Sequence, residues 1–100
     1  MMQSSIENLN KAFDNRVRLG IMSALMVNDE LSFNQLKELL NITDGNLASH
    51  LKALEENGYV VSTKRFIGRR PNTDYKITPW GRTSFKSHIA ALEKMIKGVN

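Results

Sequence analysis

Apolar residues recur at helical spacing along the first half of this chain. The first set predicts a short opening helix and consists of three residues: Ile6, Leu9 and Phe13. A wider apolar stripe runs from Val17 to Met26, and Asp14 or Asn15 can cap the helix that carries it. Because this stripe is broad, we expect the second helix, which ends near Asn28, to be buried on more than one side.

Two further helices are predicted on either side of a very short break at residues 41–42. Ser32 and Gln35 have the spacing of a capping box, which marks the start of the first of them. Thr43 can cap the second, and Gly58 ends it, because glycine adopts the left-handed conformation of a helix C-terminus without strain. The buried stripe of this helix is formed by three leucines: Leu47, Leu51 and Leu54.

The pattern then becomes typical of strands. Residues 59–67 are rich in β-branched and aromatic side chains, residues 68–72 read GRRPN, and residues 73–77 predict the returning strand of a hairpin. Thr78 and Pro79 then predict a helix start, since proline is favoured at the first helical position. Along this last helix apolar residues recur every three or four positions: Phe85, Ile89, Leu92, Ile96 and Val99.

This order of elements predicts a single domain of residues 1–100 with an α+β, mainly α, fold. Two helices joined by a turn of three or four residues form a helix-turn-helix unit. The second helix of such a unit enters the DNA major groove with its N-terminal residues leading. In this chain the candidate DNA-binding residues of that helix are Thr43, Asp44, Gly45, Asn46, Ser49, His50 and Lys52.

Two explanations fit the polar start of this helix. Asn46 can pair with N6 and N7 of adenine, and Asp44 can accept a hydrogen bond from N4 of cytosine. The same two residues are also favourable in a first helical turn beside the Thr43 cap, which needs no DNA. His50 lies between the buried stripe and the exposed face, where we expect it to pack locally. We expect His88, near the apolar seam of the last helix, to pack in a dimer interface.

Positive charge is concentrated in the hairpin region. The net charge of the chain is +4, and residues 60–86 contain seven Lys and Arg residues but one acid, Asp74. Such a basic stretch is typical of a surface that binds a polyanion. On the predicted hairpin the candidate contacts to phosphates or to a narrow minor groove are Lys64, Arg65, Arg69 and Arg70.

The composition argues against several other functions. There is no cysteine, which excludes disulfides, thiolate catalysis and cysteine metal sites. The sequence contains neither a catalytic motif nor a phosphate-binding glycine loop. It also lacks a signal-peptide pattern and an apolar run of the roughly 20 residues that cross a bilayer. We therefore predict a cytoplasmic protein that is not an enzyme, does not enter the membrane and binds neither metal nor cofactor.

Two segments carry a resemblance to a known family: FNQLKELLNITDGNLASHLKALEENGYV and VSTKRFIGRRPNTDYKITPWGRTSF. With them, residues 10–97 resemble the winged helix-turn-helix transcriptional regulators related to the multiple-antibiotic-resistance (MarR) and arsenical-resistance (ArsR) families. The resemblance implies a homodimer on a pseudopalindromic double-stranded DNA site, with a recognition helix at residues 43–57 and the hairpin as its wing. It favours a repressor. The chain lacks the cysteine ligands of the arsenical-type sensors and is shorter than typical MarR-type chains, so no small-molecule effector is assigned.

A dimer is also expected from the residues themselves. The terminal helices, residues 4–28 and 78–98, carry an apolar seam that a domain of this size can cover only in part. The predicted dimer interface consists of Ile6, Leu9, Phe13, Phe85, Ile89, Leu92 and Ile96. The alternative is that this seam packs inside one chain. Two other functions stay open, namely a winged-helix module that binds an acidic protein, and a metabolite-binding protein or enzyme subunit.

Overall fold

The computed structural model describes residues 6–98. Two 3₁₀ turns, Ile6–Asn8 and Lys11–Phe13, open this part of the chain. The α-helices are α1 (Arg16–Val27), α2 (Phe33–Leu40), α3 (Asp44–Glu56) and α4 (Pro79–Lys97). The strands are β1 (Leu31–Ser32), β2 (Val60–Ile67) and β3 (Arg70–Ile77). The α+β, mainly α, winged helix-turn-helix prediction is confirmed. Val99 of the predicted seam lies outside the described residues, as do residues 4–5 of the predicted opening helix.

The opening segment is not the single helix that the sequence predicts. It forms two separate 3₁₀ turns because Asn10 stands between them in an extended conformation, with φ −90° and ψ 119°. The Asn10 side-chain oxygen accepts from the backbone N–H of Ala12 at 2.9 Å. The backbone N–H of Asn10 donates to Nδ1 of His88 at 3.0 Å. The bond to His88 holds the segment against α4, while Phe13 inserts into the core.

The predicted helix starts are confirmed by their capping hydrogen bonds. Asn15, rather than Asp14, caps α1 by accepting from two backbone N–H groups of the first turn. Ser32 and Gln35 form both hydrogen bonds of a capping box, at 3.0 and 2.8 Å. The hydroxyl of Thr43 accepts from the third residue of α3 at 3.2 Å. Because each cap satisfies N–H groups that the helix itself leaves unpaired, the caps fix where α1, α2 and α3 begin.

A three-residue turn joins α2 to α3. Asn41 caps the end of α2 in the left-handed conformation, with φ 53°, which asparagine tolerates better than most residues. Thr43 then starts α3. The far end of α3 is followed by Gly58 with φ 77°, as the sequence predicts. The spacing of α2 and α3 is therefore that of a helix-turn-helix unit.

A short strand that the sequence analysis does not predict adds a third member to the sheet. The sheet is antiparallel with the order β1–β3–β2. β1 pairs Leu31 with Tyr75 and Ser32 with Asp74. Two residues carry too little alternation to be recognised as a strand in a sequence. This pairing ties the start of α2 to the middle of the hairpin.

The hairpin turn is shorter than predicted. The sequence analysis assigns residues 68–72 to the turn, but the strands pair as far as Ile67 and Arg70. The turn therefore consists of Gly68 and Arg69. Gly68 has φ 65°, and tight two-residue hairpin turns need positive φ values that glycine adopts readily. β3 consequently begins three residues earlier than expected.

Pro71 lies inside β3, although proline lacks the N–H that a strand ladder uses. It is accommodated because β1 pairs with β3 further along the chain, at residues 74–75, and leaves the edge beside Pro71 open. We call the hairpin of residues 60–77 the wing.

The hydrophobic core lies between the helices and the base of the wing. Phe13 is central, with its ring centroid 5.2 Å from that of Phe85 in an edge-to-face arrangement and 4.9 Å from that of Tyr59. The largest fully buried side chains are Phe13, Ile21, Met22, Leu25, Leu36, Leu47, Leu51 and Leu54. The leucine stripe of α3 is thus confirmed as buried, and it leaves the opposite face of α3 in solvent.

The start of α4 packs against the backbone that follows α3. The backbone N–H of Thr78 donates to the carbonyl of Tyr59 at 3.0 Å, and the Thr78 hydroxyl donates to the carbonyl of Gly58 at 2.6 Å. A Cβ built on Gly81 would lie 2.1 Å from the same Tyr59 carbonyl oxygen. This approach of two backbones requires glycine at position 81.

The molecule is elongated, and both the far half of α4 and the tip of the wing are largely exposed. Its principal dimensions are 59 × 25 × 21 Å. The radius of gyration is 15.2 Å, whereas a compact domain of this length has about 13 Å. Within residues 6–98, no helix has both the length and the apolar character needed to cross a bilayer.

Candidate nucleic-acid interface

The start of α3 presents a small, polar surface to solvent. Thr43, Asp44, Gly45, Asn46 and Ser49 are all exposed. A Cβ built on Gly45 would meet nothing within 4 Å, so packing inside this chain does not require glycine there. This surface is open to a partner, while the buried leucines on the other face of α3 fix its position.

The exposed face of α3 continues for two further turns. Gly45, Ala48, Ser49 and Lys52 follow one another at helical spacing, and all are exposed. The sequence analysis does not include Ala48 among the candidate residues. Its position one turn after Gly45 is the signal that identifies it, and a methyl group there suits contact with the methyl group of thymine.

The charge of Asp44 is compensated by a neighbouring helix. Oδ1 of Asp44 lies 2.8 Å from Nζ of Lys37 in α2, and the two side chains are 69% and 43% exposed. This ion pair reduces the repulsion that an isolated carboxylate would exert on a DNA phosphate. An exposed pair contributes little to folding stability, so Asp44 stays available to a hydrogen-bond donor on a base.

Arg16 is a cation beside this surface that the sequence analysis does not propose. It is the first residue of α1, it is exposed, and it lines a surface cavity together with Asn41 and Asn46. A cation in the first turn of a helix opposes the helix dipole. That unfavourable placement is the sequence signal for a role outside the helix, such as contact with a phosphate.

His50 is engaged within the chain. Its Nδ1 lies 3.0 Å from a guanidinium nitrogen of Arg18, and the residue is half-buried. Burial, together with the positive charge of Arg18, lowers the pKa of His50 below its ordinary value. The side chain therefore holds α3 against α1 as a neutral imidazole, in line with the expectation that it packs locally.

The tip of the wing carries exposed positive charge. Lys64, Arg69 and Arg70 are all exposed. None of the ion pairs formed by residues 6–98 involves these three side chains. Their charges are therefore available to an anionic partner, and the two-residue turn fixes the backbone from which Arg69 and Arg70 project.

Arg65 lies on the wing as the sequence predicts, but it forms ion pairs that the sequence does not predict. Its guanidinium forms an ion pair with the buried carboxylate of Asp74 and lies 3.4 Å from Oε1 of Glu30. Asp74 also accepts from the side-chain amide of Asn72 at 2.9 Å. These ion pairs give Arg65 a structural role that the sequence does not predict, while its side chain stays 55% exposed. Its contact with DNA stays a prediction. The sequence analysis misses this network since Glu30 lies 35 positions away from Arg65.

The predicted dimer seam is divided by the structure. Phe13 and Phe85 are 1% and 4% exposed within one chain, so their assignment to a dimer interface is corrected: they belong to the core. Ile89 is half-buried against that core. Farther along α4, Leu92 and Ile96 are exposed, the latter at 76%. The unpaired part of the seam therefore lies in the second half of α4.

The N-terminal part of the seam is divided in a similar way. Ile6 is exposed, whereas Leu9 is half-buried beside His88. His88 itself is buried in the chain and accepts the N–H of Asn10, so its expected role in a dimer interface is corrected. Burial lowers the pKa of His88, and the carboxylate of Asp14 opposes this shift in part.

The sequence of this chain is similar to known winged-helix proteins. A family profile described as a winged helix DNA-binding domain matches residues 17–96. An uncharacterised protein of Methanocaldococcus jannaschii is 44% identical over 89 residues, which cover 89% of this chain and 97% of that protein.

Two solved structures share the fold. One is a transcriptional regulator homologue from Pyrococcus horikoshii, with a TM-score of 0.83 and 37% identity over 91% of this chain and 90% of that chain. The other is a MarR-family transcriptional regulator from Enterococcus faecalis, with a TM-score of 0.73 and 21% identity over 88% of this chain and 78% of that chain. The chain therefore belongs to the winged helix DNA-binding domain family and has the fold of MarR-type transcriptional regulators.

Proposed function

We propose that this protein binds specific sites in double-stranded DNA as a homodimer and represses transcription by occupying them. The observation that carries the proposal is the exposure of two surfaces, the polar start of α3 and the cationic tip of the wing. Both surfaces project from elements that the core holds in place. Exposed side chains on rigid elements meet the requirement for reading base edges in a groove.

In this proposal α3 reads the major groove. Asn46 pairs with a base, and the backbone N–H groups at the start of α3 approach a phosphate. Ser49 and Lys52, one and two turns further along the exposed face, contact bases or phosphates. The Thr43 cap and the buried leucines keep these groups in register with the groove.

The wing supplies contacts that depend less on sequence. Lys64, Arg69 and Arg70 neutralise phosphates beside the major-groove contact, and each released counterion contributes to affinity. Arg16 adds a further cation beside Asn46. These residues position the protein on the duplex, while α3 provides the base readout.

A second copy of the chain is the partner that best accounts for the far half of α4. Ile89, Leu92 and Ile96 recur at the spacing of one helical face, and the last two are exposed. Two α4 helices packed along this face would cover it, as in a coiled coil. A symmetric pair of chains would then present two copies of α3 to two half-sites of a pseudopalindrome.

The proposal assigns binding and no reaction to this chain. The two histidines are accounted for by packing and by their hydrogen bonds to Arg18 and Asn10. Repression needs no activity beyond binding, because a protein on a promoter excludes other proteins from the same duplex. We place the protein in the cytoplasm, together with the DNA that it binds.

Selection of bound duplexes from random DNA tests the readout. We expect enrichment of inverted repeats whose half-sites are centred about one helical turn apart. Recovery of unrelated sequences with uniformly weak affinity would instead support a module that uses its basic wing to bind an acidic protein.

Sedimentation tests the dimer separately. The wild-type chain should sediment at twice its monomer mass of 11.3 kDa at micromolar concentration. Leu92→Glu should shift it toward the monomer, because the charge would lie in the centre of the paired seam. Val27→Glu is the matched control, since Val27 is an exposed apolar residue of α1 outside that seam. An 11.3 kDa wild-type species would rule out the dimer.

A further inference from the structure

We propose that Phe66 is an apolar wedge that enters the minor groove of bound DNA, partly unstacks one base step and bends the duplex. This inference rests on the proposed function, because it concerns how the wing meets DNA. It assigns a role to a side chain that neither the charge pattern nor the packing of the chain explains.

Phe66 and Ile67 are unusual in their exposure. They lie next to each other at the end of β2 and are 72% and 63% exposed. Burial begins farther from the tip, where Asp74, Tyr75 and Val60 are buried. In a single chain these two side chains leave apolar surface in water, and a partner that covered them would remove that unfavourable exposure.

The backbone near Phe66 is restricted by a proline on the facing strand. Phe66 stands directly opposite Pro71 in the antiparallel pairing, so the two side chains lie on one face of the wing. The ring of Pro71 fixes its own φ, and the two-residue turn begins two positions after Phe66. A wedge must resist the stacking of bases. In this proposal the short hairpin turn and the proline beside Phe66 provide that resistance.

The charges around Phe66 identify the kind of partner. Lys64 lies on the same face of β2, two residues before Phe66, and Arg69 and Arg70 follow it at the turn. An apolar protein surface would have to strip water from these three cations without offering acids to pair with them. The minor groove offers phosphates on both walls and sugars and base edges between them, which fits an apolar centre with a cationic rim.

The wedge predicts sequence preference at positions that α3 does not touch. Pyrimidine–purine steps such as TA unstack at the lowest cost. A bend toward the major groove would also bring more phosphates to Arg69 and Arg70. We therefore expect a flexible step in the binding site beneath each wing.

The experiment uses duplexes recovered by the random-DNA selection, with 2-aminopurine placed at the step beneath the wing and a fluorophore pair at the two ends. The wild-type protein should raise 2-aminopurine fluorescence, which reports unstacking, and shorten the end-to-end distance. Phe66→Ala should abolish both signals and weaken binding by about tenfold, with unchanged salt dependence because no charge is lost.

Two control variants separate the wedge from other effects. Val61→Ala removes an exposed apolar side chain from β2 away from the tip, and it should keep both signals. Arg69→Ala should weaken binding but still bend the duplex at saturation. A thermal melt checks that each variant folds, as expected because these side chains are exposed.

Several results would overturn the inference. If the wild-type protein binds the duplex but leaves it straight with its bases stacked, the wedge is rejected and the proposed function is not. The same holds if the Phe66→Ala variant still bends the duplex. If Phe66→Ala instead loses binding to phosphatidylserine vesicles while the duplex still bends, the tip is a membrane contact. Failure of the wild-type protein to bind any duplex rejects the proposed function, and the wedge with it.

Discussion

The guanidinium of Arg18 in α1 lies 3.0 Å from Nδ1 of His50 in α3. Nε of the same arginine donates to the carbonyl of Ala12 at 2.6 Å. Arginine can only donate hydrogen bonds, so Nδ1 of His50 is the acceptor and the imidazole is neutral. The contact between α1 and α3 at Arg18 and His50 therefore depends on the protonation state of the histidine, while the buried leucines also hold α3 on the core.

This dependence predicts that acidification destabilises the chain. The pKa values of His50 and His88 are both lowered in the folded state, so on acidification the unfolded chain takes up these protons first. The stability they provide is complete above the unfolded pKa of about 6.5 and is lost as the pH falls through it toward the folded values. Urea unfolding at about pH 7.5 and about pH 5.5 measures the loss.

The matched control for this prediction is the double variant His50→Gln and His88→Gln. Glutamine can accept a hydrogen bond but does not titrate in this range. The free energy of unfolding of the double variant should change less between the two pH values than that of the wild type. An equal change in both proteins would show that other groups cause the pH dependence.

Arg65→Ala should reduce the stability of the fold. The substitution leaves the buried carboxylate of Asp74 without its cation, which costs on the order of 1–3 kcal/mol. Lys64→Ala, at an adjacent exposed cation, should leave the free energy of unfolding unchanged and reduce the salt dependence of binding. Chemical unfolding measures the free energy of unfolding of both variants, and salt titration measures the salt dependence of their DNA binding. A stable Arg65→Ala protein with a reduced salt slope would place the arginine in the DNA interface instead.

Gly81→Ala should be strongly destabilising, because its Cβ would lie 2.1 Å from the carbonyl oxygen of Tyr59. Backbone on both sides limits relaxation, so we expect a loss of about 3 kcal/mol in the free energy of unfolding. Gly45→Ala is the control, since its Cβ enters open space, and alanine in a helix should add up to about 1 kcal/mol. Thermal or urea unfolding of the two variants should give changes of opposite sign.

Arg69→Ala should weaken binding to all duplexes about equally. It removes one exposed cation at the wing tip, so the slope of log affinity against log salt should fall by about 1. Lys97→Ala removes a cation that is ion-paired at the far end of α4 and should leave the slope unchanged. An unaltered slope in Arg69→Ala would place the wing tip away from the phosphates.

Asn46→Ala should change specificity instead of the salt slope. Loss of a bidentate contact to a base costs on the order of 1–3 kcal/mol at one base position. Fold stability should be unaffected, because the Thr43 hydroxyl bonds the backbone of Asn46 and not its side chain. Asn57→Ala, just after the opposite end of α3, is the control and should leave specificity unchanged. Binding to every single-base variant of the selected site measures the difference, and a uniform loss across positions would contradict base readout.

The helix-turn-helix and the wing can be predicted from the residues alone, since their signals are local. Ser32 with Gln35 and Thr43 mark helix starts through bonds within one turn, and the leucine spacing of α3 defines its buried face. The basic residues at the wing tip can be read from their positions in the sequence. Contacts between residues far apart in the sequence form only when the chain folds. Folding brings Arg65 into ion pairs with Asp74 and Glu30. It also buries Phe13 and Phe85 in the core, where the sequence predicts a dimer interface. The physical reason is that capping and periodicity are set by neighbours along the chain, whereas ion pairs and burial depend on residues brought together only by folding.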